Sequence, residues 1–225
     1  MKKRDPTTAK FFNCDIAVWR EEDEVFELNG HLLDNQTLAK LTGAFDGCYL
    51  LPVLKEDGPN KTVVLEIEIA HDDMLDLMQR TIIQGLNGFE LVSNDIFVLK
   101  EGYRGQALGI RSFAIEAFEA QRLGISRIET KAAGKVGDPV FSGWYIWARA
   151  GFQAELTQHE RRLLAQEHLP ALNAACTLHD LMRIPEGVEW WKEHGQGRLM
   201  EFDLAANSPH WSILTAYLGE KGVVL

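Results

Sequence analysis

The residues best suited to chemistry fall between positions 102 and 109, where the chain reads Gly102-Tyr103-Arg104-Gly105-Gln106-Ala107-Leu108-Gly109. Glycines let a backbone approach a ligand closely, and a helix starting here leaves its first N–H groups without intrahelical acceptors. Such amides, reinforced by the helix dipole, suit an anion. A plain strand-to-helix connection reads the same way, and spacing alone does not choose between the two. The string is not a Walker loop, because no Gly-Lys-Ser/Thr follows, and it lacks GxGxxG spacing. Elsewhere, His71, Asp72, Asp73 and Asp76 form an oxygen-rich set that a hard cation would accept. A polar loop after a strand explains them equally, no EF-hand pattern is present, and no metal site is expected. Asp203, Ser208 and His210 are close in sequence, but there is no GxSxG elbow. Cys14, Cys48 and Cys176 are widely spaced with no CxxC pair, which fits thiols in a reducing compartment rather than a zinc ribbon or a disulfide framework. Trp190-Trp191, beside a glycine-rich turn, reads as an anchor of the tail.

These groups need elements to position them. Residues 1–45 read as a polar leader with a strand candidate at 15–19, a solvated acidic run Glu21-Glu22-Asp23-Glu24, and a short helix. Asp34 caps that helix, Leu33 and Leu38 sit at staple spacing, and Gly43 stops it. Strands are expected at 48–54 and 62–70, separated by a turn at 55–60. In the second, Val63, Leu65, Ile67 and Ile69 alternate with Val64, Glu66 and Glu68, so one face is buried. Residues 71–78 are ambiguous. A β-branched stretch at 80–84, a turn Gly85-Leu86-Asn87-Gly88 and a long strand at 89–99 complete an antiparallel meander. The period then becomes helical over 110–121: Ile110, Phe113, Ala114 and Ala117 form the apolar stripe, and Ser112, Glu116 and Glu119 are expected on the wet side. A strand at 125–131 follows, giving the order of a βαβ crossover. Helices are expected over 142–150, from a capping box at Thr157 to Glu160, over 172–184, and at 210–219, with a break at Pro185-Glu186-Gly187. The fold class is therefore mixed α/β: an antiparallel meander running into a βαβ unit, with a helical C-terminal extension. The expected domains are 1–45, 46–156 and 157–225.

The chain has 225 residues, a net charge of −10, 46% hydrophobic and 25% charged residues. That is ordinary globular usage, enough for a core without staples. The acidic balance argues against nucleic acid as a partner, since counterion release needs clustered cations. No apolar run reaches the ~18–20 residues needed to span a membrane. Pro6, Asn13, Asp15 and Arg20 break any signal-peptide core, so a cytoplasmic location is expected.

The stretch Val98-Leu99 … Arg104-Gly105-Gln106-Ala107-Leu108-Gly109-Ile110 resembles the pyrophosphate loop of the GCN5-related N-acetyltransferase (GNAT) superfamily, Arg/Gln-x-x-Gly-x-Gly/Ala after a strand. Arg104 fills the first position and Gly109 the last, while Ala107 stands where the middle glycine is usual. Leu123-Gly124-Ile125-Ser126-Arg127-Ile128 is similar to that superfamily's helix-to-strand link. Gly143-Trp144-Tyr145-Ile146-Trp147-Ala148-Arg149-Ala150-Gly151-Phe152 is similar to its later helix. The likeness covers residues 89–153. It implies acetyl-CoA as cosubstrate, with pantetheine along Phe97, Val98 and Leu99 and the pyrophosphate on Arg104, Gly105, Gln106, Ala107, Leu108 and Gly109. It implies direct attack of an amine, borne by a small molecule or a protein, on the thioester. Tyr145 is the general acid the resemblance points to; an aromatic filling a core among Trp144, Trp147 and Phe152 is the competing reading. Asp95 or Glu90 is the base by the same token, with a plain hydrogen-bond acceptor as the alternative for Asp95. Because Ala107 departs from the pattern, a GNAT-like binding or structural module with a blocked cleft stands beside the enzyme.

Overall fold

A computed structural model describes residues 3–20, 25–57, 62–86, 88–167 and 170–225. The acidic run at 21–24, Gly58, Pro59 and Asn60 of the first turn, and Asn87 of the second lie outside the described residues. The fold is mixed α/β, and the chain divides into two compact units, residues 1–128 with 218–225, and residues 129–217.

In the first unit, α1 (Pro6–Phe11) leads to β1 (Ala17–Val18), a small hairpin of β2 (Glu27–Leu28) and β3 (His31–Leu32), and α2 (Asn35–Thr42). The Asp34 side chain accepts from Thr37 N at 2.7 Å, and Gly43 closes α2 at φ 64°. A β-carbon at Gly43 would stand 2.3 Å from the Ser112 carbonyl oxygen, so a glycine is required there twice over. Then come β4 (Tyr49–Asp57), β5 (Thr62–Ala70), β6 (Leu75–Gly85), β7 (Gly88–Leu99) and α3 (Leu108–Arg122), with β8 (Arg127–Lys131) straddling the division. The meander β4-β5-β6-β7 is antiparallel throughout, and β1 adds to β4 in parallel, so the leader does supply a strand. The ambiguous stretch 71–78 resolves as a turn running straight into β6.

Register explains the core. Leu65 faces Ile82, Ile67 faces Arg80, and Ile69 faces Met78, and all six side chains are buried. Phe113, Ala114 and Ala117 of α3 are buried as the stripe requires. The wet side of α3 is not wet, however: Ser112, Glu116 and Glu119 are buried as well. Ser112 donates to Gly43 O at 2.7 Å and Glu116 meets an arginine from β6, so α3 is covered on two sides rather than one. A 3.6-residue pattern reads polarity, and polar partners across a fold are invisible to it.

The second unit holds α4 (Gly143–Arg149), α5 (Gln158–Gln166), α6 (Leu178–Met182), α7 (Pro185–His194), β9 (Leu199–Asp203) beside β8, and most of α8 (Pro209–Glu220). The Thr157–Glu160 capping box forms as its spelling demands. A second box, Thr177–Asp180, starts α6 later and shorter than the expected 172–184 helix. Pro185 does not break the chain; it opens α7 at the first helical position, where a missing N–H costs nothing. Trp191 is wholly buried and donates from Nε1 to Trp144 O at 3.0 Å. No helix among the described residues is long and apolar enough to cross a membrane.

Candidate anion-binding junction

Between β7 and α3 the backbone is irregular in two places. The first is inside β7. Arg80 pairs with Asn94 and Gln79 with Ile96, so Asp95 is an extra residue with no partner opposite, a β-bulge. Arg80 Nη1 donates to the carbonyls of Gln79 and Ile96, the facing pair next to the offset, at 3.1 and 3.3 Å. The bulge turns Asp95 outward, where its two oxygens accept from Thr81 Oγ1 and Ser93 Oγ, each at 2.6 Å. Its surroundings match a hydrogen-bond acceptor, and its hydroxyl neighbours hold both oxygens.

The second irregularity is the junction itself. After a single 3₁₀ turn (Glu101–Tyr103), Arg104 folds back so that Nε donates to Leu99 O at 2.8 Å, and Gln106 Nε2 donates to Gly102 O at 3.0 Å. Gly105 (φ 77°) and Ala107 (φ 55°) both lie in the left-handed region. α3 then begins without a side-chain cap, its first helical bond running from Arg111 N to Ala107 O. Among the described residues, the backbone N–H groups of Ala107, Leu108, Gly109 and Ile110 make no hydrogen bond, while the chain makes a hydrogen-bonded turn through Arg104 and Gly105. Added β-carbons at Gly102 and Gly105 would meet open space. At Gly109 one would stand 3.0 Å from the Phe97 ring, so the missing side chain lets the helix start close against β7. Phe97, Val98, Leu99, Ala107 and Gly109 are half-buried, Arg104, Gly105 and Gln106 are exposed, and Leu108 is buried. The nine residues of the expected cofactor stretch are thus gathered at one strand-loop-helix corner of the first unit.

Tyr145 lies in the second unit, half-buried on α4, its ring centroid 5.6 Å from that of Trp144. Of the other constellations, His71 Nδ1 accepts from Asp73 N and Met74 N, which makes it a turn staple. Among the described residues no three His, Cys, Asp or Glu side chains are grouped to hold a metal ion. His210 aims Nδ1 at Gly151 O, 2.9 Å away, and Asp203 accepts from Ala205 N, so Asp203, Ser208 and His210 do not assemble as a triad.

Two residues of the junction escape a sequence reading. Arg111 sits on α3 beside Ile110, 4% exposed, and donates from Nη1 to both Gln106 O and Ala107 O at 3.0 Å. Its charge is met by Asp5, with Nη2 to Oδ1 at 3.0 Å. Burial pushes the Asp5 carboxyl up, but hydrogen bonds from Thr8, Val224 and Arg111 outweigh it and hold the group far below the usual carboxylate range. The one available signal is an arginine immediately beside the apolar stripe; its partner is 106 residues away. No protein-family model matches the chain, and no curated protein and no solved structure matches it.

Proposed function

We propose that this chain is an acyl-CoA-dependent N-acyltransferase of GNAT type. One observation carries the reading: the consecutive backbone amides of residues 107–110, which make no hydrogen bond among the described residues, at a corner where Gly102 and Gly105 leave open space, after a bulged strand. A diphosphate needs several converging N–H donors, and a loop-to-helix junction supplies them. In this reading the diphosphate of acetyl-CoA takes those amides and Arg104, and the pantetheine arm runs along Phe97, Val98 and Leu99. An acceptor amine attacks the thioester carbonyl, the C–S bond breaks, the ammonium proton leaves to a base, and the thiolate takes a proton from an acid, giving amide and free CoA. Asp95 and Tyr145 are the base and acid proposed for those transfers.

A second reading, a GNAT-like binding module that no longer acylates, is favoured by Asp95, whose oxygens are both occupied by hydroxyls. Calorimetric titration with acetyl-CoA and with CoA separates the readings. The enzyme is expected to bind both with Kd of about 1–100 μM, and Arg104→Glu or Gly105→Trp should each weaken binding at least about tenfold. Absence of heat or thermal shift at millimolar ligand retires the acyl-CoA reading. Binding without turnover on a panel of amines selects the module. Tyr145→Phe should lower turnover about tenfold with CoA affinity unchanged; unchanged turnover removes Tyr145 as the acid.

A further inference from the structure

We propose that Arg111, held by Asp5, is the positioning residue of the junction: by binding the carbonyls of Gln106 and Ala107 from the protein side, it turns the amides that follow them toward the ligand side. The inference rests on the acyl-CoA reading for its ligand, and on the hydrogen-bond geometry for the clamp itself.

A trans peptide unit is planar, and its C=O and N–H point in opposite directions. Fixing the Gln106 carbonyl on Arg111 therefore fixes the Ala107 N–H on the far side, and fixing the Ala107 carbonyl does the same for Leu108 N–H. Ala107 O takes a second bond, from Arg111 N at 3.3 Å, so Arg111 grips that carbonyl with side chain and backbone together. This grip also explains why a non-glycine residue stays at φ 55° there. A left-handed alanine is disfavoured, and such a conformation persists only where the surroundings over-determine it.

The guanidinium is itself over-determined. Nε donates to Thr8 Oγ1 at 3.1 Å and Nη2 to Asp5 Oδ1. Asp5 caps α1, its Oδ1 accepting from Thr7 N and Thr8 N, while Oδ2 accepts from Thr8 Oγ1 and Val224 N. Asp5 N in turn donates to Val224 O at 3.1 Å. A buried arginine without a counter-charge would be costly. Here the carboxylate cancels it, so the attraction offered to an anion comes from the unbonded amides and Arg104. Residues 5–8 and 224, remote in sequence, thereby set the shape of the loop.

The test uses the full chain, with inorganic pyrophosphate and CoA as probes and pantetheine, which lacks the diphosphate, as control. Folded Arg111→Met, judged by amide dispersion, is expected to bind pyrophosphate and CoA at least about tenfold more weakly and pantetheine as wild type does, while Ala107 carbon shifts leave their left-handed values. Arg111→Lys, able to reach one carbonyl, should recover part of the loss. A purely structural ion pair would lower stability and leave those affinities in place. Pyrophosphate affinity within twofold of wild type, or Ala107 still left-handed in folded Arg111→Met, overturns the clamp. Should Arg111→Met not fold, Val224→Pro removes only one donor to Asp5; it is expected to weaken pyrophosphate about threefold, and no change overturns the proposal. Wild-type protein that binds neither probe overturns the acyl-CoA reading and the ligand half of the inference, and the Ala107 shifts then decide the clamp separately.

Discussion

α3 carries two buried arginine–carboxylate pairs, five residues apart along the helix, and they behave oppositely. At Arg111–Asp5 every polar atom near the contact has a partner: the guanidinium makes four hydrogen bonds and the carboxylate takes Thr7, Thr8 and Val224 as well as Arg111. At Arg80–Glu116, Nε lies 3.3 Å from Oε2, Asn94 Nδ2 adds one bond at 3.3 Å, and neither Arg80 Nε nor Glu116 Oε1 has a hydrogen-bond partner among the described residues. Burial therefore wins at Glu116 and raises its pKa to about 7 against the pull of Arg80 and Asn94, whereas hydrogen bonding wins at Asp5 and depresses it. Proximity of opposite charges does not fix an ionisation state; the count of satisfied lone pairs does.

The largest break in this contrast is Arg80→Met. Leaving Glu116 buried without its cation should cost about 3–5 kcal/mol near pH 8 in urea unfolding, because an uncompensated buried charge remains. Glu116 escapes part of that cost by taking a proton, so the loss should shrink toward pH 5. In wild type the sign follows from the raised pKa. Between the ordinary 4.5 and about 7 the folded state binds more protons than the unfolded chain, so the Glu116 contribution is full at low pH and fades as pH rises. Arg80→Met/Glu116→Leu should regain most of the stability and abolish that slope. A double variant as unstable as Arg80→Met would mean the pair, rather than the orphaned charge, holds the bulge at Asp95.

The second unit repeats the under-partnered case with histidines. His179 Nε2 and His210 Nδ1 both lie within 3 Å of Gly151 O, at 2.8 and 2.9 Å, with ring centroids 4.2 Å apart. A carbonyl only accepts, so each ring carries a proton on that nitrogen. Burial lowers both pKa values; His179 lowers His210 further, to about 4, while Asp203 opposes it, and Arg183 and Asp180 act in opposite senses on His179. The unfolded chain takes up protons below 6.5 and the folded unit resists, so this stability is present above pH 6.5 and lost as pH falls toward 4. For His210 the loss is of order 3 kcal/mol. Tryptophan fluorescence reads it, since residues 144, 147, 190, 191 and 211 all lie in this unit. His210→Phe should flatten the acid side of the denaturant-midpoint profile, and a profile that stays steep would exclude the pair as its source.

Asp5→Asn sharpens the contrast from the well-partnered side. It keeps one acceptor oxygen and removes the charge, and should cost about 2 kcal/mol at pH 7, the range of a charge-assisted hydrogen bond. Because the folded pKa is depressed, the wild-type contribution is present above the ordinary 3.8 and lost as pH falls below it. Wild type and Asp5→Asn should therefore converge in urea midpoint as pH drops through 3; a constant gap would assign the loss to geometry instead of charge.

How much of this was readable beforehand divides along the same line. Asp34 with Gly43, and Thr157 with Glu160, are local signals spelled within a few residues, and both form as spelled. Period two placed Leu65, Ile67 and Ile69 in the core, and the glycine-rich junction opens α3 where the string 102–109 put it. What stayed hidden depends on partners far along the chain. Glu116 looked solvated because nothing near it in sequence announces Arg80, and Arg111 drew no reading because its partner Asp5 is in another segment. Likewise Pro185 looked like a break because proline ends and begins helices alike, and only the following turn tells which.

The smallest expected effect bears most directly on the resemblance. The superfamily pattern has glycine where this chain has Ala107, and the departure looked like a defect of the site. In the structure Ala107 adopts φ 55°, ψ 26°, a left-handed conformation that glycine takes at lower cost. An alanine there bears a left-handed penalty that glycine escapes, partly offset by the greater freedom glycine has when unfolded. Ala107→Gly is thus expected to stabilise the chain by about 0.5–1 kcal/mol in urea unfolding and to leave CoA affinity within about twofold of wild type. If it destabilises instead, the methyl group makes contacts worth more than the strain. If it stabilises but abolishes binding, Arg111 alone does not hold the loop, and the rigidity of the alanine is itself part of what shapes the junction.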